Sequence, residues 1–487
     1  MYKRLLSALA LCVFLASLLD AQKMVSAQLL GSRTRAQIAA QFNNPLVQYD
    51  ARFYRVIYTT KNTAGQPDTV SGLIVVPQDP TRIFPRLVYQ HGTSSTRTDV
   101  PSFNVLTGGE GTLGLLFAGM GFLTFMPDYL GLGVAKGFHP YVHAASESWV
   151  AADMLRALPD FMAYYGPGLH VNSQLFVTGY SQGGHASMAF QRDVEGPWKN
   201  EFKMTAASHM SGPYSIGEVM RGLVLSDDVY FYPAYIPHTL ISYQNVYGNL
   251  FNFVQEVFRE PYATLISQHY SGSMNLIQLN LQLVNLLTQN EGACRPVRML
   301  HPQLVQEVKA DDGHPINVAL RDNNVYPWSP QVPTRIYYCM ADDQVPFKNS
   351  IVARDTMLAR GAADLQVVDV NSNADHGACA SPAIFNTLIF FLNYRDVGFV
   401  SSTSHPVALE PLLLQPNPTS SAIWLMDLPE EGGQVQVFDL SGRLRYEVSQ
   451  TTDRNYRLDL LGLENGLYLV RFLSGGRVWQ NKVVLYR

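Results

Sequence analysis

Residues 177–185, VTGYSQGGH, place a serine between two glycines at spacing two on either side, directly after the apolar run QLFV at 174–177. The letters alone decide little, because a chain of this length and ordinary glycine and serine content holds a GxSxG by chance about one time in six. Context decides more. A strand that stops at Thr178 and a helix that begins near Gln182 force Ser181 into a strained turn. Gly179 and Gly183 are then required, since side chains there would crowd the neighbouring strand and helix. Such a turn exposes the hydroxyl, and the helix N-terminus beside it stabilises negative charge.

A serine hydroxyl is a poor nucleophile until a base takes its proton, and an imidazole base needs a carboxylate to hold it in one tautomer. Both partners follow in the order acid, then histidine. Asp342 and Asp343 come after the strand-like RIYYCM, and His376 comes after LQVVDV and a short loop. Asp342 is the preferred orienter because it ends its strand most directly, with Asp343 its close rival. His185, one helical turn past Ser181, reads as a packing or hydrogen-bonding residue, and Asp375 as a solvated or loop-shaping one. A tetrahedral intermediate needs two backbone donors: the N–H of Gln182, and one from QHGTSS at 90–95, where Gly92 and Thr93 stay equal candidates.

The rest of the chain supplies an alternation of strands and helices. FYRVIYTTKNTAGQPDTVSGLIVVP reads as two strands around a turn with Gly65 and Pro67; FPRLVYQHG and GFLTFMP are apolar strands. ESWVAADMLRALPDFMAYYG is a helix closed by Gly166, and residues 27–43 form a partly amphipathic helix. Strands with continuous apolar character, alternating with helices, describe a largely parallel sheet covered on both faces. Residues around 215–330 break the alternation and read as inserted helices, either ordinary packing helices or a cap over a site. FVSSTSHPVALEP at 399–411 reads as a linker, and 412–487 as a small β-sandwich of short alternating strands. The expected organisation is a signal peptide at 1–21, an α/β domain at 22–398, the linker, and the sandwich.

Composition agrees with a folded, exported protein. Of 487 residues, 47% are hydrophobic and 15% charged, which excludes a disordered chain. The formal net charge of −4 leaves no electrostatic footprint for nucleic acid. Lys3 and Arg4 precede the apolar run of residues 5–19 in the manner of an export signal. No later segment is long and apolar enough to span a membrane, LIFFLNY at 388–394 being a buried helix. The four cysteines lack zinc spacing, and His170, His185, His209 and His314 form no HExxH-like cluster, so no metal is expected. GGEGTLG at 108–114 lacks the lysine of a phosphate loop and GLGVAKG at 131–137 lacks dinucleotide spacing, so no cofactor is expected either.

Taken together, YQHGTSS, FMPDYLGLG, VTGYSQGGHAS, ADDQVP and ADHG resemble the secreted α/β-hydrolases of the microbial secretory lipase group, over about residues 50–395. The resemblance implies ester hydrolysis through Ser181, Asp342 and His376, on a small-molecule or lipid ester. It implies that Asp128 and Tyr129 line or support the mouth of the site, and that the insertion is a lid over an acyl pocket. The tail resembles the type A C-terminal sorting domain of the type IX secretion system: LLLQPNPTS matches its opening, VQVFDLSGRL its middle and the final strands its close. That implies passage through the periplasm, the secretion machinery as partner, and release or attachment at the cell surface. In that setting a Cys339–Cys379 bridge would tie the acid and base loops together. Two rival readings stand beside the esterase: a serine exopeptidase on the same fold, for which residues 215–300 offer few acids, among them Glu218, Asp227, Asp228, Glu256 and Glu260, and an inactive surface binding protein.

Overall fold

The hairpin at the start of the sheet follows from its turn chemistry. In the computed structural model, which describes residues 23–400, 409–439, 443–475 and 477–487, β2 (Asp50–Lys61) and β3 (Pro67–Gln78) pair antiparallel along their whole length. Asn62 Oδ1 accepts from the N–H groups of Ala64 and Gln66 while Gly65 takes φ 76°, closing the turn that Pro67 ends. The expected signal peptide lies outside the described residues.

The helix expected over 27–43 is corrected. Residues 24–33 form β1 (Met24–Arg33), paired antiparallel with β2, and only Arg35–Phe42 is helical, entered through a capping box of Thr34 and Gln37. The free edge of β2 offers this segment a ladder of backbone partners, which a short surface helix burying only Ile38 does not match. The expected helix at 147–166 also divides, into Ala144–Arg156 and Leu158–Tyr165, because Pro159 has no N–H to continue the first and suits the start of the second.

The remaining strands of the main sheet are β4 (Arg82–Gln90), β5 (Leu123–Pro127), β6 (His170–Tyr180), β7 (Met204–Met210), β8 (Thr334–Tyr338) and β9 (Leu365–Asp369). The order is β1-β2-β3-β5-β4-β6-β7-β8-β9, parallel from β5 onward. A short β10 (Gly398–Phe399) pairs with the start of β4. One face packs on helices Ala144–Arg156 and Leu158–Tyr165 through Tyr54, Val150 and Phe161. The other packs on Thr112–Gly119 and His376–Leu392 through Phe117, Phe122, Phe176 and Phe391. Apolar runs covered on both sides are the sequence signature seen at β5 and at residues 175–180, all buried.

Helices fill the segment between β7 and β8. Helix Leu276–Glu291 buries Leu276, Leu279, Leu283 and Leu287, one face at helical spacing, against Val257, Ala263, Ile266 and Met299. The insertion thus has a core of its own, which explains the apolar residues with no place in the sheet. Among the described residues no helix is long and apolar enough to cross a membrane.

The chain divides into two compact units after Val400. The smaller holds a five-stranded sheet, β11 (Leu409–Pro411), β18 (Arg477–Leu485), β17 (Gly466–Ser474), β14 (Gly433–Asp439) and β15 (Leu444–Thr451) in that order. A three-stranded sheet joins β12 (Leu413–Gln415), β13 (Ala422–Met426) and β16 (Tyr456–Asp459). Ile423, Leu425, Val437, Leu458, Val470 and Phe472 form the core they share. Of the stretch 399–411 expected as a linker, Phe399 belongs to β10 and residues 409–411 to β11; residues 401–408 lie outside the described residues.

Candidate active site

Strand β6 runs to Tyr180, past the expected stop at Thr178, and helix Gln182–Glu195 starts at once, so Ser181 is the whole turn. Its backbone sits at φ 59°, ψ −122°, a conformation costing a non-glycine residue about 1–3 kcal/mol and kept only where the surroundings over-determine it. Here they do. Ser181 N–H donates to Met210 O on β7 at 2.9 Å, and Ser181 O accepts from Gly184 N–H at 2.9 Å. A Cβ on Gly179 would lie 2.2 Å from Gly183 O, and one on Gly183 would lie 2.0 Å from Gln90 O.

The loop after β8 brings Asp342 to the same end of the sheet. Its side chain is 1% exposed; Oδ1 accepts from the N–H groups of Gln344 and Val345 at 3.0 and 2.8 Å, and Oδ2 lies 2.7 Å from His376 Nδ1. Asp343 turns elsewhere: Oδ1 accepts from the His376 backbone N–H at 3.1 Å and Oδ2 from Tyr232 Oη–H at 2.9 Å. His376 is the first residue of helix His376–Leu392 rather than a loop residue, and Asp375 caps that helix through Ala378 N–H at 2.8 Å. The imidazole packs on Tyr180, ring centroids 5.0 Å apart, and the Tyr180 hydroxyl donates to His376 O. Acid and base are therefore in direct contact, and the base stands beside the residue preceding Ser181. Ser181 contributes its main chain to the hydrogen bonds of the elbow; bonds from a nucleophile to its base are often long in free enzymes and tighten on substrate.

The two candidate donors after β4 separate on their partners. Gly92 N–H donates to Glu110 Oε2 at 2.9 Å. Thr93 is held instead through its hydroxyl, 3.0 Å from Tyr141 Oη. Glu110, in the stretch 108–114, also accepts from Tyr89 Oη–H at 2.6 Å, and burial raises its pKa to about 6. On the other side of the elbow Gln182 opens its helix, leaving its N–H among those with no intrahelical acceptor.

A cavity of about 930 Å³, part of it open to solvent, begins at Ser181 and runs under the insertion. Ile216, Val224, Leu240, Leu300, Leu304 and Val305 are among its walls. The guanidinium of Arg221, also at the wall, is engaged by Asn317 Oδ1 and Val308 O, both at 2.5 Å. Among the described residues lining the cavity none is an acid.

Solved structures resemble this unit closely. The rice cell wall degrading esterase LipA from Xanthomonas oryzae superposes with a TM-score of 0.66 at 24% identity, over 77% of this chain and 98% of its own. A candidate hydrolase from Legionella pneumophila gives 0.67 at 24%, over 76% and 98%. Candida antarctica lipase A in its closed state gives 0.55 at 15%, over 75% and 82%. The larger unit has the α/β-hydrolase fold. The tail matches the family described as the secretion system C-terminal sorting domain over residues 414–486, which directs the chain to secretion or the cell surface. No curated protein sequence matches the chain.

Within the hydrolase unit, the residues around the site are held by buried polar contacts. Asp128 takes hydrogen bonds from Ser71 and Ser102 hydroxyls, both at 2.6 Å, and from Ser102 N–H at 3.0 Å; it is wholly buried and shapes the loop from beneath. Tyr129 Oη–H donates to His91 O at 3.0 Å and its ring stacks on His91, centroids 4.2 Å apart. Burial lowers the His91 pKa to about 4, keeping that ring neutral beside the site. Ser211 also has positive φ, 41°, but its hydroxyl is buried 3.7 Å from Cys379 Sγ. Cys339 and Cys379 are disulfide-bonded, Cα atoms 5.9 Å apart, and Cys294 is a buried free thiol.

The sequence reading missed Glu110 and Glu147. Glu147 is 1% exposed and lies 2.8 Å from Gln182 Nε2 and 2.7 Å from His185 Nδ1. The available signal was a lone carboxylate in each of two otherwise weakly charged stretches. His209 is structural, bonding Ser187 and Gln191. Among the described residues no group of three or more His, Cys, Asp or Glu could hold a metal ion.

Proposed function

We propose that this protein is an exported serine hydrolase of carboxylic esters with Ser181 as nucleophile, His376 as base and Asp342 as orienter. The observation that carries the reading is the strained serine turn opening onto an apolar cavity beside the 2.7 Å Asp342–His376 pair. His376 takes the Ser181 proton as Oγ attacks the ester carbonyl, and Asp342 stabilises the imidazolium. The carbonyl oxygen becomes an oxyanion held by the N–H groups of Gln182 and Thr93; Gly92 N–H, already donated to Glu110, is the poorer candidate. His376 then protonates the departing alcohol, and water repeats the sequence on the acyl-enzyme.

The aliphatic walls favour an apolar acyl chain lying under the insertion, which then serves as the cap. An exopeptidase would need a carboxylate to hold a peptide amine. Asp227 is engaged by Arg295 and Arg298, Glu218 by Ser215 and Asn324, and among the described residues no acid lines the cavity. Passage through the periplasm by the type IX route, with the sorting domain as the address, completes the proposal. The test is a panel of p-nitrophenyl esters of increasing acyl length with an aminoacyl-naphthylamide control, on wild type, Ser181→Ala and Leu240→Trp. Hydrolysis lost in the serine variant, with the tryptophan variant shifted to short acyl chains, is expected. Faster cleavage of the amide would favour the peptidase, and failure of the wild type to label with a fluorophosphonate would favour a binding protein.

A further inference from the structure

Glu147 lies outside the triad and outside the cavity, yet it holds two residues of the helix that opens at the elbow. It stands in the first turn of helix Ala144–Arg156, where a carboxylate is favoured by the helix's own dipole. Oε1 accepts one amide hydrogen of Gln182 at 2.8 Å. The other goes to His139 Nε2 at 2.8 Å, and His139 Nδ1 in turn donates to Leu130 O at 2.8 Å. The Gln182 amide oxygen is buried without a partner, so these two acceptors alone place that side chain.

Glu147 Oε2 meets His185 Nδ1 at 2.7 Å, while His185 Nε2 lies 2.9 Å from Asn323 O. A carbonyl only accepts, so Nε2 carries a hydrogen, and the contact between Nδ1 and the carboxyl oxygen needs another. The pair therefore holds one proton more than a carboxylate and a neutral imidazole together would. It is neutral as a unit, which reconciles its burial with the cost of isolated charge.

We propose that Glu147 is a positioning residue for the oxyanion hole, fixing the first turn of helix Gln182–Glu195 through the Gln182 amide and the His185 ring so that the Gln182 N–H stays aimed at the oxyanion. The proposal rests on the serine-hydrolase reading. Glu147→Gln keeps every bond with one proton fewer: its amide oxygen accepts from Gln182, its NH2 donates to His185 Nδ1, and His185 Nε2–H still donates to Asn323. Glu147→Ala keeps none.

The experiment compares an ester with its thionoester, since a sulfur anion gains little from the hole's donors, and counts active sites by fluorophosphonate titration. For Glu147→Ala we expect kcat per titrated site to fall about 10- to 100-fold with KM little changed, the scale of a misaimed donor, and the ester-to-thionoester rate ratio to shrink. Glu147→Gln should restore both. If Glu147→Ala does not fold, Gln182→Met, which keeps the main-chain donor and deletes the amide tie, must show the same loss of ratio. Unchanged kcat per site and unchanged ratio in these variants overturn the proposal, as does a Glu147→Gln variant no better than alanine. A wild type that neither labels nor cleaves ester defeats the underlying serine-hydrolase reading instead.

Discussion

Adding one methyl group at Gly183 tests the elbow directly. A Cβ there would stand 2.0 Å from Gln90 O, 2.7 Å from Gln90 C and 2.9 Å from His91 O. Such contacts do not occur below 3.0 Å, so the start of the helix and the end of β4 must part by about 1 Å, at a cost of roughly 1–3 kcal/mol for an overpacked core. The displaced backbone leads into Gly92 and Thr93 on one side and carries Ser181 and Gln182 on the other. A 1 Å misplacement there costs about 100-fold in rate. For Gly183→Ala we therefore expect kcat on a short p-nitrophenyl ester to fall by that order and the thermal midpoint to drop by a few degrees, read against Gly222→Ala, whose Cβ meets nothing within 4 Å. A Gly183→Ala protein with the kcat and midpoint of wild type would refute the steric account of the turn.

Asp342→Asn should lower kcat/KM by on the order of 10⁴-fold, while Asp343→Asn, whose residue holds only the His376 main chain and Tyr232, should cost less than about tenfold; steady-state kinetics on one ester decides between them. Reducing the Cys339–Cys379 bridge, which closes a loop of 40 residues, should remove about 4 kcal/mol on the chain-entropy scale, measured by urea unfolding with and without reductant. Burial raises the Glu110 pKa from 4.5 to about 6, so the folded protein holds this proton more tightly than the unfolded chain. The group's contribution is complete below pH 4.5 and is lost as pH rises through 6. Unfolding free energies from pH 4 to 7 should therefore decline less for Glu110→Gln than for wild type, by roughly 2 kcal/mol.

What could be read from the sequence was the part governed by local pattern. The apolar run at 174–177, the glycine spacing and the order of acid and histidine placed Ser181, Asp342 and His376 beyond the carboxyl ends of strands; they follow β6, β8 and β9, with His376 at the start of the helix after β9. The preference for Asp342 over Asp343 rested on strand register; in the structure Asp342 meets the imidazole and Asp343 the His376 main chain. Less legible were features that depend on what lies opposite. Residues 24–33 joined the sheet because β2 had a free edge, which no window around them reveals. Glu110 and Glu147 look like surface charges until the Gly92 N–H and the Gln182 amide appear beside them. The proposed preference for Thr93 over Gly92 rests on the same hidden carboxylate.

The covalent tie between Cys339, at the end of the acid's strand, and Cys379, in the first turn of the base's helix, has a bearing on when the enzyme matures. Reducing cytoplasm keeps such sulfurs apart, and the oxidising surroundings of secreted and cell-surface proteins join them. A newly made chain thus leaves the cell's interior with its acid and base loops unfastened. The fastening of those two loops is therefore a step that belongs to the exported chain.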